Sequence, residues 1–202
     1  MTALTPTESV PGFDPLSDLF VAQFARPPDL MPVNLRTLSP YQRALLVIDG
    51  TVTKFLEAIT MQPIDVVIVS HEIRRLPERH DWLEVEADTS AIAREVMLRG
   101  RHDRTLYAFA ASLLVIDRLP DTVKEALTTN PGGLGRILLD SKLETRREVL
   151  WYGRQRSDQP RINELAGREL LSRAYRIISG GHPLMLINEQ FPMAEDLLPS
   201  HE

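Results

Sequence analysis

Two charged residues stand where a strand should be apolar. In the closing run HPLMLINEQF, Glu189 shares one face with Met185, Ile187 and Phe191, while Leu184, Leu186, Asn188 and Gln190 share the other. The outer part of the second face is polar, so the first is expected to meet the core and to carry Glu189 with it. An unpaired carboxylate in apolar surroundings is costly and tends to hold its proton, which would fit it for general acid–base work. The bland alternative is a strand-end position open to water. The run AIAREVML repeats the pattern: Arg94 falls in phase with Ile92, Val96 and Leu98, with Ala93, Glu95, Met97 and Arg99 opposite. An inward guanidinium clamps a carboxylate through two parallel hydrogen bonds. It would serve equally as a structural salt-bridge partner, with Glu189 itself among the candidates. A helical reading of 88–99 would change this face assignment.

Two glycine-containing turns offer backbone donors. Pro131-Gly132-Gly133-Leu134-Gly135 lacks the lysine and hydroxyl of a P-loop and the GxGxxG spacing of a dinucleotide turn. It still points N–H groups at the head of a short helix, where a small anion is welcome, although a plain helix-entry loop reads the same. Asp49-Gly50-Thr51-Val52-Thr53 makes a similar nest between two helices. Other chemistries find little support. With 0 cysteines, thiolate nucleophiles, disulfides and cysteine-bound metals are excluded. His71, His80, His102, His182 and His201 are scattered without HExxH spacing, so a metal site is not expected. Ser70, Ser112 and Ser172 lack a nucleophile-elbow context.

The elements that must position these residues follow from punctuation and periodicity. Residues 1–30 are expected to form a flexible N-terminal segment, with a short amphipathic helix over 14–24, and 196–202 a tail. A single domain over 31–195 remains. Ser39 and Pro40 open a helix that Gly50 ends, and a second helix covers 51–60. The β-branched run Ile64 to Ile73 reads as a strand covered on both faces. After a polar connection with Trp82, strands are expected over 91–98 and 105–116, a helix over 121–129, a break at Asn130-Pro131-Gly132-Gly133 and a helical turn from Leu134. A strand over 143–153, a loop or short helix over 157–167 and a hairpin over 170–191 complete the chain. The paired Gly180 and Gly181 supply the positive φ its turn needs. The class is α+β: a single domain with about six antiparallel strands and flanking helices, not a βαβ series.

The 202 residues are 43% hydrophobic and carry a formal net charge of -5, which suits one domain with a substantial core and argues against nucleic acid as a partner. No apolar run is long enough to span a bilayer, so no membrane insertion is expected. The opening MTALTPTESVPGFDP has neither a basic start nor a signal core, and a cytoplasmic location is the default.

Taken together, IDGTVTKFLE at 48–57, AREVML at 93–98, GGLGRIL at 132–138 and RIISGGHPLMLINEQF at 176–191 resemble the chorismate pyruvate-lyase (4-hydroxybenzoate synthase) family. The order and spacing of these motifs carry the resemblance, which runs from about Leu38 to Pro192. It implies a six-stranded antiparallel sheet whose helices cover a buried pocket. It also implies conversion of chorismate to 4-hydroxybenzoate and pyruvate without a cofactor. The family's binding arginine falls on Arg94 and its acidic residue on Glu189. Its two backbone contacts to the ligand carboxylate fall on Val52, where enterobacterial members carry methionine, and on Leu134. A second pocket arginine of those members falls on Ala111, which makes the chain look closer to the divergent branch with the SGG turn. The same fold resembles effector domains of bacterial transcription regulators, so a small-molecule-sensing module is the alternative.

Overall fold

The computed structural model describes residues 13–129, 133–157 and 162–193. Its six strands are β1 (Ile64–Arg75), β2 (Ser90–Gly100), β3 (Leu106–Val115), β4 (Arg146–Arg156), β5 (Glu169–Ser179) and β6 (His182–Pro192). They form one antiparallel sheet in the order β1-β2-β3-β6-β5-β4. Two three-stranded meanders thus meet along β3 and β6, where Ala110 faces Glu189 and Ser112 faces Ile187. The β5–β6 turn is made by Gly180 (φ 58°) and Gly181 (φ 83°), successive left-handed residues whose twist matches that of the strands. The expected α+β class, the hairpin and the strand reading of 91–98 are all found.

Four helices cover one face of the sheet: α1 (Pro40–Val47), α2 (Val52–Thr60), α3 (Asp121–Thr129) and α4 (Leu134–Asp140). A capping box starts α1, with the Gln42 N–H donating to Ser39 Oγ at 3.2 Å and Ser39 N–H to Gln42 Oε1 at 2.9 Å. The helix ends at Val47, three residues before Gly50, because Ile48 is already extended. Thr51 caps α2 through the Lys54 N–H.

The two helix pairs bury different rows of the same sheet face. Leu45, Leu46 and Leu56 pack on Leu98, Ala108, Phe191 and Leu171, which lie in register across β2, β3, β6 and β5. Val123, Leu127, Ile137 and Leu138 pack on Ile92, Leu114, Met185 and Ile177. Between these apolar rows run two others: Val96, Ala110, Glu189 and Arg173, then Arg94, Ser112, Ile187 and Tyr175. The inward polar residues therefore sit in the seam between the helix pairs.

Three expectations need correction. Residues 14–24 form turns, not an α-helix, and the described part of the supposedly flexible segment is packed. Leu16, Phe20, Ala22 and Leu30 are buried. Val21 and Ala22 donate to the Val149 and Leu150 carbonyls, and Met31 bridges Arg154. The exposed edge of β4 offers acceptors that satisfy this backbone better than one helical turn would. Second, β1 is an edge strand, not a doubly covered one. Its second half lies open to solvent, with Ile73 72% exposed; a β-branched run suits an edge as well as a centre. Third, the strand expected over 143–153 is shifted along the chain, since β4 begins at Arg146 and runs to Arg156. The proposed break at Asn130-Pro131-Gly132 and the segments 1–12 and 196–202 lie outside the described residues.

Candidate functional site

Val52 and Leu134 occupy the first positions of α2 and α4, where a backbone N–H has no acceptor within its own helix. What brings the two helix starts together is Gly135. A Cβ there would lie 2.5 Å from Thr51 Cγ2, so only glycine lets α4 approach α2 this closely. Beneath them the seam of the sheet opens into a cavity of about 70 Å³. All four residues singled out from the sequence line it: Val52, Arg94, Leu134 and Glu189. Its walls are otherwise mostly aliphatic, with Val66, Val96, Leu98, Ile177 and Ile187 among them.

The two charged residues are held differently. Arg94 is only 3% exposed, and burial lowers its pKa from the usual arginine value. Glu189 is 7% exposed and has two partners. Arg173 Nε donates to its Oε2 at 2.8 Å, and the Tyr175 hydroxyl donates to its Oε1 at 3.1 Å. The expectation of an unpaired carboxylate is thereby corrected, as is the pairing of Glu189 with Arg94: the ion-pair partner is Arg173, directly opposite on β5.

Arg173 is in turn anchored by the Leu46 and Ile48 carbonyls, at 3.2 and 2.9 Å, which tie β5 to the end of α1. Burial first, and then the neighbouring Glu189 charge, push the Tyr175 hydroxyl well above its ordinary pKa, so it remains a donor. The Arg147 and Arg173 guanidiniums each lie 5.3 Å from the centroid of the Tyr175 ring.

Arg173, Tyr175 and Arg147 were not singled out from the sequence. The signal was present for the first two: in LLSRAYRII they alternate with Leu171 and Ile177, the same polar intrusion on an apolar face that marks Arg94 and Glu189. Ala111 does not face the cavity. The register pairs Ala111 with Glu95 and Asn188 on the opposite face of the sheet, and the cavity-lining residue of β3 is Ala110. No group of three or more potential metal ligands occurs among the described residues, and no helix among them is long and apolar enough to cross a membrane.

The fold is shared with regulator domains. The effector domain of PhnF from Mycobacterium smegmatis matches with a TM-score of 0.56 at 12% identity, over 80% of this chain and 91% of that one. A putative regulator from Escherichia coli CFT073 matches with a TM-score of 0.51 at 16% identity, over 65% and 97%. At such identities the likeness is one of fold alone.

Sequence relatives are closer. The chorismate pyruvate-lyase of Mycobacterium tuberculosis H37Rv is 30% identical over 167 residues, which span 78% of this chain and 82% of that protein. That of Mycobacterium leprae TN is 29% identical over 164 residues, 78% and 76% of the two chains. The family model described as chorismate pyruvate-lyase Rv2949c-like matches residues 46–198, a span that takes in α2, α3, α4, all six strands and every cavity residue named above. The chain belongs to the Rv2949c-like chorismate pyruvate-lyase family.

Proposed function

We propose that this protein converts chorismate to 4-hydroxybenzoate and pyruvate, using its own side chains and no cofactor. The observation that carries the reading is a single cavity lined by a buried guanidinium, a buried carboxylate and the starts of two helices. Arg94 takes the ring carboxylate in a bidentate grip, and the N–H groups of Val52 and Leu134 complete the cradle. Glu189 faces the hydroxyl-bearing end of the ring.

With Arg173 against one oxygen and Tyr175 against the other, Glu189 stands as a hydrogen-bond acceptor rather than an isolated buried acid. That changes its part in the chemistry. Loss of the enolpyruvyl group requires the neighbouring ring carbon to give up a proton as the ring becomes aromatic, and a fixed carboxylate at that end is placed to receive it. The departing enol takes a proton from solvent as it becomes pyruvate. Aromatisation supplies much of the driving force, so the protein's task is to hold a dianion in a reactive pose and exclude water around the ring.

The test is to incubate purified protein with chorismate and follow pyruvate and 4-hydroxybenzoate together. Equimolar release of both is expected. A sensing module of the same fold would bind ligand and release no pyruvate, and that result would end the enzymatic reading.

A further inference from the structure

Arg147 enters the same cavity from the far side of the sheet. It lies on β4, four strands from Arg94 on β2, a span of about 19 Å at ~4.8 Å per strand, which two long side chains reaching inward largely close. Its side chain is 17% exposed. Nη1 donates to the carbonyls of Asp49 and Gly50, the second at 2.7 Å. Among the described residues, all of its hydrogen bonds run through Nη1, and Nε is buried without a partner. The Nε–Nη2 edge, the side of a guanidinium that takes a carboxylate with two parallel bonds, is therefore uncommitted. The nearest acid, Asp49, is 3.8 Å from Nη1 and its side chain is 89% exposed, so water screens it.

Arg173 is already paired with Glu189 and Tyr175 stays neutral, so neither balances the charge of Arg147.

We propose that Arg147 forms a second anion subsite, which binds the carboxylate of the enolpyruvyl side chain and selects the dianionic substrate over the monoanionic product. This rests on the reading of the cavity as a chorismate site. Arg94 grips a group that survives the reaction unchanged, so its contact is common to substrate and product. The Arg147 contact leaves with pyruvate. The subsite thereby weakens product binding relative to substrate without a conformational step.

Arg147 also ties down the link between α1 and α2, so its loss could disturb Val52 and weaken every ligand. The discriminating measurement is the ratio between ligands. In Arg147→Met, KM for chorismate is expected to rise roughly 10- to 100-fold, as for a lost charge-assisted hydrogen bond. The inhibition constant of 4-hydroxybenzoate should stay within about twofold. Arg147→Lys keeps the charge without the fork and should fall between; it carries the test if the methionine variant does not fold. Parallel weakening of chorismate and 4-hydroxybenzoate, or no change in either, would overturn the subsite. If the wild type releases no pyruvate, the proposed reaction fails. Calorimetric titration of wild type and variant with the same two ligands then still decides whether Arg147 distinguishes the dicarboxylate.

Discussion

Removing Arg173, which holds Glu189 beside the cavity, should destabilise this protein strongly. Its side chain is 1% exposed and that of its partner Glu189 10%, so Arg173→Met strands a carboxylate where water scarcely reaches. Breaking one side of a buried pair costs about 3–5 kcal/mol, most of it the desolvation of the charge left behind. Two more bonds go with it, to the Leu46 and Ile48 carbonyls, which loosens the end of α1. For a domain of this size each kcal/mol moves the melting temperature by roughly 2–4 °C. A fall of roughly 6–20 °C is expected by circular dichroism at neutral pH. The double variant Arg173→Met with Glu189→Gln should recover part of the loss, because the uncompensated charge is gone. Should Arg173→Met melt within about 2 °C of wild type, Glu189 must find water or another cation, and the account of the site as a dry, paired centre is wrong.

Arg94→Met should lower 4-hydroxybenzoate affinity roughly 10- to 100-fold by calorimetry, since a charge-assisted clamp is lost; unaltered affinity would remove Arg94 from the ligand. Glu189→Gln is expected to bind product measurably yet lose about 10²–10⁴ in turnover, and wild-type pyruvate release would show that no proton passes through it. Gly135→Val should weaken ligand binding, because its side chain would drive α4 away from Thr51 and separate the N–H groups of Val52 and Leu134; binding equal to wild type would mean that the helix starts do not form the cradle. Burial pushes Asp103 up, but hydrogen bonds from the Tyr107 hydroxyl at 2.6 Å, the Thr105 N–H at 2.9 Å and Gln62 at 2.8 Å outweigh it and leave the carboxyl below its usual value. A depressed carboxylate contributes stability above its unfolded pKa, about 3.9, and loses it as pH falls through the folded value. Urea midpoints measured through the acid range should therefore fall less steeply with pH in Asp103→Asn than in wild type.

Period-2 alternation was enough to place Glu189 and Arg94 on the inward faces of their strands, because a pleated strand sends successive side chains to opposite sides whatever its neighbours are. Local chemistry likewise fixed the Gly180-Gly181 turn, the Ser39 cap and the helix starts that carry Val52 and Leu134. Each is decided by residues within a few positions of one another. Pairing was another matter. Which guanidinium meets Glu189 depends on β5 lying beside β6 with Arg173 in register, and nothing local to Glu189 contains that. The same holds for Ala110 and Ala111. A shift of one residue exchanges the faces of the sheet, so only the β3–β6 register decides which alanine lines the cavity. The N-terminal turns and Arg147 depend on tertiary structure too. The first are held by the edge of a strand more than a hundred residues away, and the second enters the site only because β4 closes the far side of the sheet. Side-chain direction was written in the sequence; partners and neighbours were decided by the order of the strands.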